Sequence, residues 1–272
     1  MDYIKLLIES FKLNKKTWSI TAAYDLVLIL ASYILLFIWS LWMNSLISKT
    51  NLDITELTEE IIADVASLKN FYYGTLISFL VLFLLVFVVW SFFKGIIWCV
   101  ISDKHFNLSY FKKFLLLNLA CIPLYIVVFA VFLIAAIIFN YLFLLISTSM
   151  QNSSLAVVFI SVLFLIVFAP LVIYIAILPS LVYYYFTKKN SIRESFNKMF
   201  NTAIKKIHLF YVPCLIITVV FVLLSIITTP LGLLPETTIF LIFLVILVFY
   251  VSWARIYIVS FAESLNKKHH KI

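Results

Sequence analysis

Apolar residues run along this chain in six long blocks separated by polar connections, at roughly Trp18–Ile47, Phe71–Ser102, Phe114–Ser147, Leu155–Thr187, His208–Thr228 and Thr237–Phe261. Each block meets the length of about 20 residues that a helix rising about 1.5 Å per residue needs to cross a hydrocarbon layer about 30 Å thick. Lipid-facing barrel strands alternate apolar and polar positions, and runs such as Phe79–Trp90 and Phe240–Val251 do not. The pattern therefore predicts an all-helical integral membrane protein with six spanning helices.

Between the blocks the periodicity turns two-sided. Ile192, Phe196, Met199, Phe200, Ala203, Ile204 and Ile207 fall on one face of a helix whose other face carries Arg193, Glu194, Asn197, Lys198, Asn201, Lys205 and Lys206. Such a helix belongs in a membrane interface, and Ser191-Ile-Arg-Glu194 reads as the capping box that starts it. Tyr3, Ile4, Leu7, Ile8 and Phe11, set against Lys5, Glu9 and Lys12, repeat the theme at the N-terminus. Leu108–Phe114 is a short, degenerate middle copy. On the opposite side, Leu57, Ile61, Val65 and Leu68 recur at helical spacing within the acidic connection Lys49–Asn70, which predicts a short amphipathic helix there.

These segments divide one transmembrane domain, 1–272, into three hairpin units of roughly 1–103, 104–188 and 189–272. Each unit has an amphipathic segment, an outward helix and a return helix. Glu9-Ser10-Phe11 and Glu194-Ser195-Phe196 share a triplet, and Lys94, Pro179 and Arg255 occupy similar depths in the three return helices.

Composition agrees with burial in lipid. The chain is 65% hydrophobic and 12% charged, more apolar surface than a water-soluble core of 272 residues hides. Only three glycines occur, Gly74, Gly95 and Gly232, so helix crossings of the Gly-x-x-x-Gly kind are not expected. Asp2, Lys5, Glu9 and Lys12 interrupt the N-terminal segment, which is expected to be retained rather than cleaved as a secretory signal.

Charge sets the expected orientation. Of the 20 Lys and Arg, all but Lys49 and Lys69 fall on the side that six crossings assign to both termini and to the connections 102–113 and 187–207. The positive-inside rule makes that side cytoplasmic, in a multi-pass protein of the cell membrane. The net charge of +8 then reports topology and contact with anionic lipid, not nucleic acid. Lys12, Lys112, Lys113, Arg193, Lys198, Lys205 and Lys206 are the expected interfacial lipid contacts.

Three ionisable residues fall inside spanning blocks: Asp25, Lys94 and Arg255. Each costs roughly 2.5–3.5 kcal/mol at mid-membrane on insertion scales, which marks them as candidates for function. Their similar depth allows one cluster in which Asp25 bridges two cations and the surplus positive charge meets an anion or a lipid headgroup. The other reading is structural, with Asp25 paired and the long cationic stems reaching back to the headgroups. Pro123, Pro170, Pro179 and Pro213 are expected as helix kinks; broken helices in transporters form substrate sites, but the Gly-rich unwinding that accompanies them is missing here. Cys99, Cys121 and Cys214 read as buried small hydrophobes. His105, His208, His269 and His270 lack metal-site spacing, so neither a metal nor a cofactor is expected. No nucleophile elbow, His-Glu-x-x-His, phosphate-binding Gly loop or paired-aspartate motif is present, and a non-enzymatic protein is expected.

The layout of an interfacial helix with a Ser-Phe pair feeding an outward helix, as in Glu9-Ser10-Phe11 and Glu194-Ser195-Phe196, resembles the membrane domain attached to glycerophosphoryl diester phosphodiesterases and related prokaryotic six-helix proteins. That resemblance carries no catalytic residue. It implies a membrane-embedded accessory or lipid-associated role with anionic lipid as partner. Six helices, an N-terminal interfacial elbow and both ends inside also resemble the permease subunits of ATP-driven exporters, for which Leu108–Phe114 or Ser191–Ile207 would couple to an ATPase subunit. The sequence leaves self-association or a second membrane protein as partner open.

Overall fold

The computed structural model describes residues 3–12, 15–49, 65–149, 158, 162, 164–228 and 235–269. Among them the regular elements are helical: α1 (Tyr3–Lys12), α2 (Lys15–Lys49), α3 (Val65–Ile101), α4 (Leu108–Ser149), α5 (Ala169–Lys189), α6 (Ile192–Thr202), α7 (Ile207–Thr228) and α8 (Glu236–His269). Six helical runs are long and apolar enough to cross a membrane, and they contain α2, α3, α4, α5, α7 and α8 in turn. At about 1.5 Å per residue, the 42 residues of α4 extend about 63 Å. That is twice a hydrocarbon layer, so α4 tilts or projects beyond it.

Some boundaries differ from the sequence reading. Val65 and Leu68 belong to α3 rather than to a separate outer helix; residues 50–64 of that connection lie outside the described residues. Leu108–Phe114 forms the first turns of α4 with no break before the spanning part, so the middle amphipathic copy is not a separate element. Its apolar continuation gives the chain no reason to turn there. Asn107 caps this start by accepting a hydrogen bond from the Tyr110 N–H at 2.8 Å.

Each spanning helix touches its successor in the chain, and α8 closes the ring on α2. The return helix α5 also touches α3 and α8, which brings the three return helices toward one axis. Its segment Leu181–Thr187 is buried at every position. This explains the unbroken apolar and aromatic run Leu181-Val-Tyr-Tyr-Tyr-Phe186: a helix surrounded on all sides has no face to reserve for water. Buried residues concentrate at the end of the bundle that carries Lys104, Lys188 and the termini, with Trp98, Phe114, Phe186, Phe210, Tyr257 and Phe261 at their centre. The three cysteines are buried at this end as well.

The ends of α5 illustrate how local chemistry sets the frame. A π-helical turn, Phe164–Phe168, leads into it, and Pro170 sits in the first turn, where a missing N–H costs little. At the far end Asn190 adopts the left-handed conformation (φ 53°) and its N–H returns to the Phe186 carbonyl at 2.7 Å. Lys104 donates to the Thr187 carbonyl and so supplies a cation to the negative end of the helix. Pro123, Pro179 and Pro213 lie inside α4, α5 and α7, which run on through them.

Both short helices pack on the bundle through part of their apolar residues. In α6 Ser191 caps the first turn through the Glu194 N–H, and Ile192, Phe196, Met199 and Ala203 turn to the protein. Phe200, Ile204 and Ile207 of the same expected stripe are exposed. In α1, Tyr3, Leu6, Leu7 and Ser10 face α8, whereas Ile8 and Phe11 are more than a third exposed. The serines of the shared triplet, Ser10 and Ser195, are both buried. Ser10 accepts a hydrogen bond from the Trp253 Nε1–H at 3.1 Å, and Phe11 stacks on the same indole at 5.0 Å. Ser10→Ala is expected to cost about 1 kcal/mol by leaving that indole N–H without its acceptor. Limited proteolysis would register it as faster cleavage after Lys5, with the spanning helices unaffected.

Candidate functional site

Asp25, Lys94 and Arg255 lie nine, seven and ten residues from the basic-end limits of their spans at Lys16, Ile101 and Leu265. At about 1.5 Å per residue these are depths of about 14, 10 and 15 Å, so the three meet at one level. The structure brings them into contact. Lys94 Nζ is 3.0 Å from Asp25 Oδ1, and Arg255 Nη1 is 3.1 Å from Oδ2. Arg255 Nη2 adds a hydrogen bond to Oδ1 at 3.4 Å. Ser252, one turn before Arg255 on α8, donates to Oδ2 at 2.9 Å. The carboxylate thus receives three hydrogen bonds, from Lys94, Ser252 and Arg255, on two return helices.

Both cations turn to Asp25 and are nearly buried. The Arg255 side chain is 6% exposed and that of Lys94 13%. Aromatic faces cover both: Lys94 Nζ stands 4.9 Å from the Trp90 ring centroid, and the Arg255 guanidinium 6.0 Å from that of Trp98. One carboxylate against two cations leaves a net charge of +1. Arg255 Nη1, though near Asp25, lies off the hydrogen-bonding line and has no hydrogen-bond partner among the described residues.

Arg255 and Lys94 both line a cavity of about 310 Å³ between the three return helices. Trp90, Lys94 and Trp98 line it from α3, Pro179, Ser180 and Tyr183 from α5, and Tyr250 and Arg255 from α8. Lys94, Pro179 and Arg255, the residues of matching depth, therefore share one cavity wall. Pro179 has no N–H to give the Ile175 carbonyl, so it loosens the backbone beside the cavity without ending the helix. Tyr125 of α4 joins the wall, its hydroxyl 2.7 Å from that of Tyr183. The volume falls in the range of small-ligand sites, and the lining, aliphatic and aromatic with the cations Lys94 and Arg255, suits an anion carrying apolar groups.

The sequence reading missed Ser252, the aromatic covers and a second polar clasp. Asn118 Nδ2 of α4 donates to Ser91 Oγ of α3 at 2.7 Å, both residues being buried. A signal for both serines is present in the chain: Ser91-Phe-Phe-Lys94 and Ser252-Trp-Ala-Arg255 place a serine one turn before each intramembrane cation. In each case the serine bonds an Asn or Asp on a neighbouring outward helix, Asn118 or Asp25.

The interfacial candidates lie elsewhere. Lys112 and Lys113 are exposed on the first turns of α4, and Arg193, Lys198 and Lys205 are exposed on or beside α6; Lys206 is half-buried. Lys12 is the last residue of α1. None of these belongs to the cavity wall. The exposed Phe200, Ile204 and Ile207 stand beside the α6 cations and give that surface an apolar side next to a basic one. No family model, no characterised protein and no solved structure matches this chain.

Proposed function

We propose that this is a non-enzymatic, lipid-associated membrane protein that holds an anionic lipid headgroup in the cavity between its three return helices. The observation that carries the proposal is that two nearly buried cations, Lys94 and Arg255, share the single carboxylate of Asp25 and both line one cavity. A purely structural ion pair needs one carboxylate and one cation. A second cation, taken from water at a cost of several kcal/mol, calls for a further anion. The orientation that fits is with both termini and the basic end in the cytoplasm, where Lys112, Lys113, Arg193, Lys198 and Lys205 meet anionic headgroups at the surface. In this reading the chain is three hairpin units whose return helices each contribute to the cavity, and its role is that of a membrane-embedded accessory protein, in keeping with the resemblance drawn from its layout.

The test is an exchange experiment. The purified chain is equilibrated with mixed micelles of phosphatidylglycerol and phosphatidylcholine in equal amounts and re-isolated, and its lipids are counted. The proposal predicts retained phosphatidylglycerol at about one per chain, with phosphatidylcholine at background. Equal retention of both lipids would refute it.

A further inference from the structure

The cavity between the return helices adjoins a second space and shares two wall residues with it. Trp90 and Tyr125 border it, and both also border a groove of about 510 Å³ between α3 and α4. Apart from Asn118 and those two residues, the groove is walled by hydrocarbon and phenyl rings, among them Val86, Ile122 and Phe129. Another groove, of about 520 Å³, reaches Lys94 from the opposite side of α3, between α2 and α8. Asp25 and Lys94 both line that one, so an anion there faces the carboxylate as well as a cation. The α3–α4 groove carries no acidic residue and meets the cavity of Arg255 and Lys94 at Trp90 and Tyr125.

Asn118 supplies an independent sign of a ligand. Its Nδ2 is used by Ser91, but its Oδ1 is buried and has no hydrogen-bond partner among the described residues. A buried acceptor left open is costly unless a donor reaches it, and Asn118 lines the groove.

We infer that the cavity and the α3–α4 groove form one site for a single anionic amphiphile, its headgroup at Arg255 and Lys94, its alkyl chain along Val86 and Ile122, and a hydroxyl or amide of its linker donating to Asn118 Oδ1. This deepens the proposed function and rests on it. Trp90 and Tyr125 then form the neck between the polar and the apolar parts, a place suited to rings with one polar end.

The experiment compares two probes on the full-length protein in detergent, glycerol 3-phosphate and its 1-oleoyl ester, by titration calorimetry. Wild type is expected to bind the oleoyl ester at least tenfold more tightly. Ile122→Trp and Val86→Trp fill the groove from its two walls, and each is expected to remove at least tenfold of that preference while glycerol 3-phosphate binds as in wild type. Because each wall is altered separately, the second variant still decides the matter if the first misfolds. If a folded groove variant keeps the wild-type preference, the chain does not lie in the groove and the inference is overturned, while headgroup binding still stands. If wild type does not bind glycerol 3-phosphate, or Arg255→Met binds it equally well, the headgroup reading fails and the inference falls with it.

Discussion

Asp25→Asn is expected to lower the yield of folded protein severalfold and to destabilise what remains by roughly 3 kcal/mol, as measured by thermal unfolding in detergent. The substitution keeps the size of the side chain and an acceptor for Ser252, so packing changes little. It removes the only carboxylate facing Lys94 and Arg255 among the described residues, and their side chains are 13% and 6% exposed. Two like charges then share a site from which water is nearly excluded, and breaking a buried pair from one side costs more than the pair contributes. The charge argument makes a second prediction that packing does not. Asp25→Asn combined with Lys94→Met returns the cluster to a charge of +1 and is expected to recover most of the lost stability. Wild-type stability of the single variant, or no recovery in the double, would show that the cluster is open to water.

Arg255→Met is expected to behave oppositely. Asp25 keeps Lys94 and Ser252 as partners, the cluster becomes neutral, and the methionine fills much of the volume of the arginine stem among Trp98 and Tyr250. Folded yield is therefore expected to stay near wild type. In the mixed-micelle exchange, retained phosphatidylglycerol is expected to fall at least tenfold, because the surplus charge is gone. Arg255→Lys keeps the charge but loses the planar fork that reaches Asp25 and the cavity together, so an intermediate loss is expected. Lys94→Met likewise neutralises the cluster and is expected to match Arg255→Met. A tenfold fall that follows charge, with unfolding temperatures unchanged, separates a ligand-holding cation from a structural one.

Much of the architecture is legible from letter patterns alone, for a physical reason. Hydrocarbon tolerates no unpaired backbone, so six apolar blocks of spanning length translate into six helical runs with little ambiguity. The start of α6 is equally readable, since Ser191 is an N-cap by its chemistry. The matching depths of Asp25, Lys94 and Arg255 predict their meeting, because depth along a spanning helix is counted directly in residues.

Rotation about the helix axis is not legible in the same way. In water an apolar stripe marks the inner face, but in lipid both faces are apolar and the stripe disappears. Nothing in the apolar run of α5 announces that Leu181–Thr187 is buried at every position, or that three return helices enclose a cavity. Only the polar residues record rotation, and the informative ones are modest: Ser91 and Ser252 one turn before a cation, and Asn118 on an outward helix. In the short helices, too, small polar residues record rotation: Ser10 and Ser195 are buried, and their hydroxyls find partners inside, Ser195 Oγ donating to the Ser191 carbonyl at 2.5 Å. Ile8 and Phe200, apolar residues of the same helices, stand at the surface. That places them where a membrane interface would take them up.

The bundle is also asymmetric along its axis, and this bears on function. Its buried residues gather at the basic end, while the most apolar 18-residue windows of α2, α3 and α4 each have only 6% of their positions buried within the protein. On the proposed reading, the closely packed rings Tyr183, Phe186 and Tyr257 at the basic end and the broad apolar surfaces beyond the ion cluster would favour entry from the side, by an anionic amphiphile already in the bilayer.

The most direct test of the central claim is native mass spectrometry of the protein released in mild detergent from its own membranes, read alongside Arg255→Met. The account predicts a wild-type chain carrying one anionic amphiphile and an Arg255→Met chain of unadorned mass. A wild-type chain that emerges without lipid, or one that emerges in fixed ratio with an ATPase subunit and no bound anion, would contradict it, the latter in favour of an exporter permease.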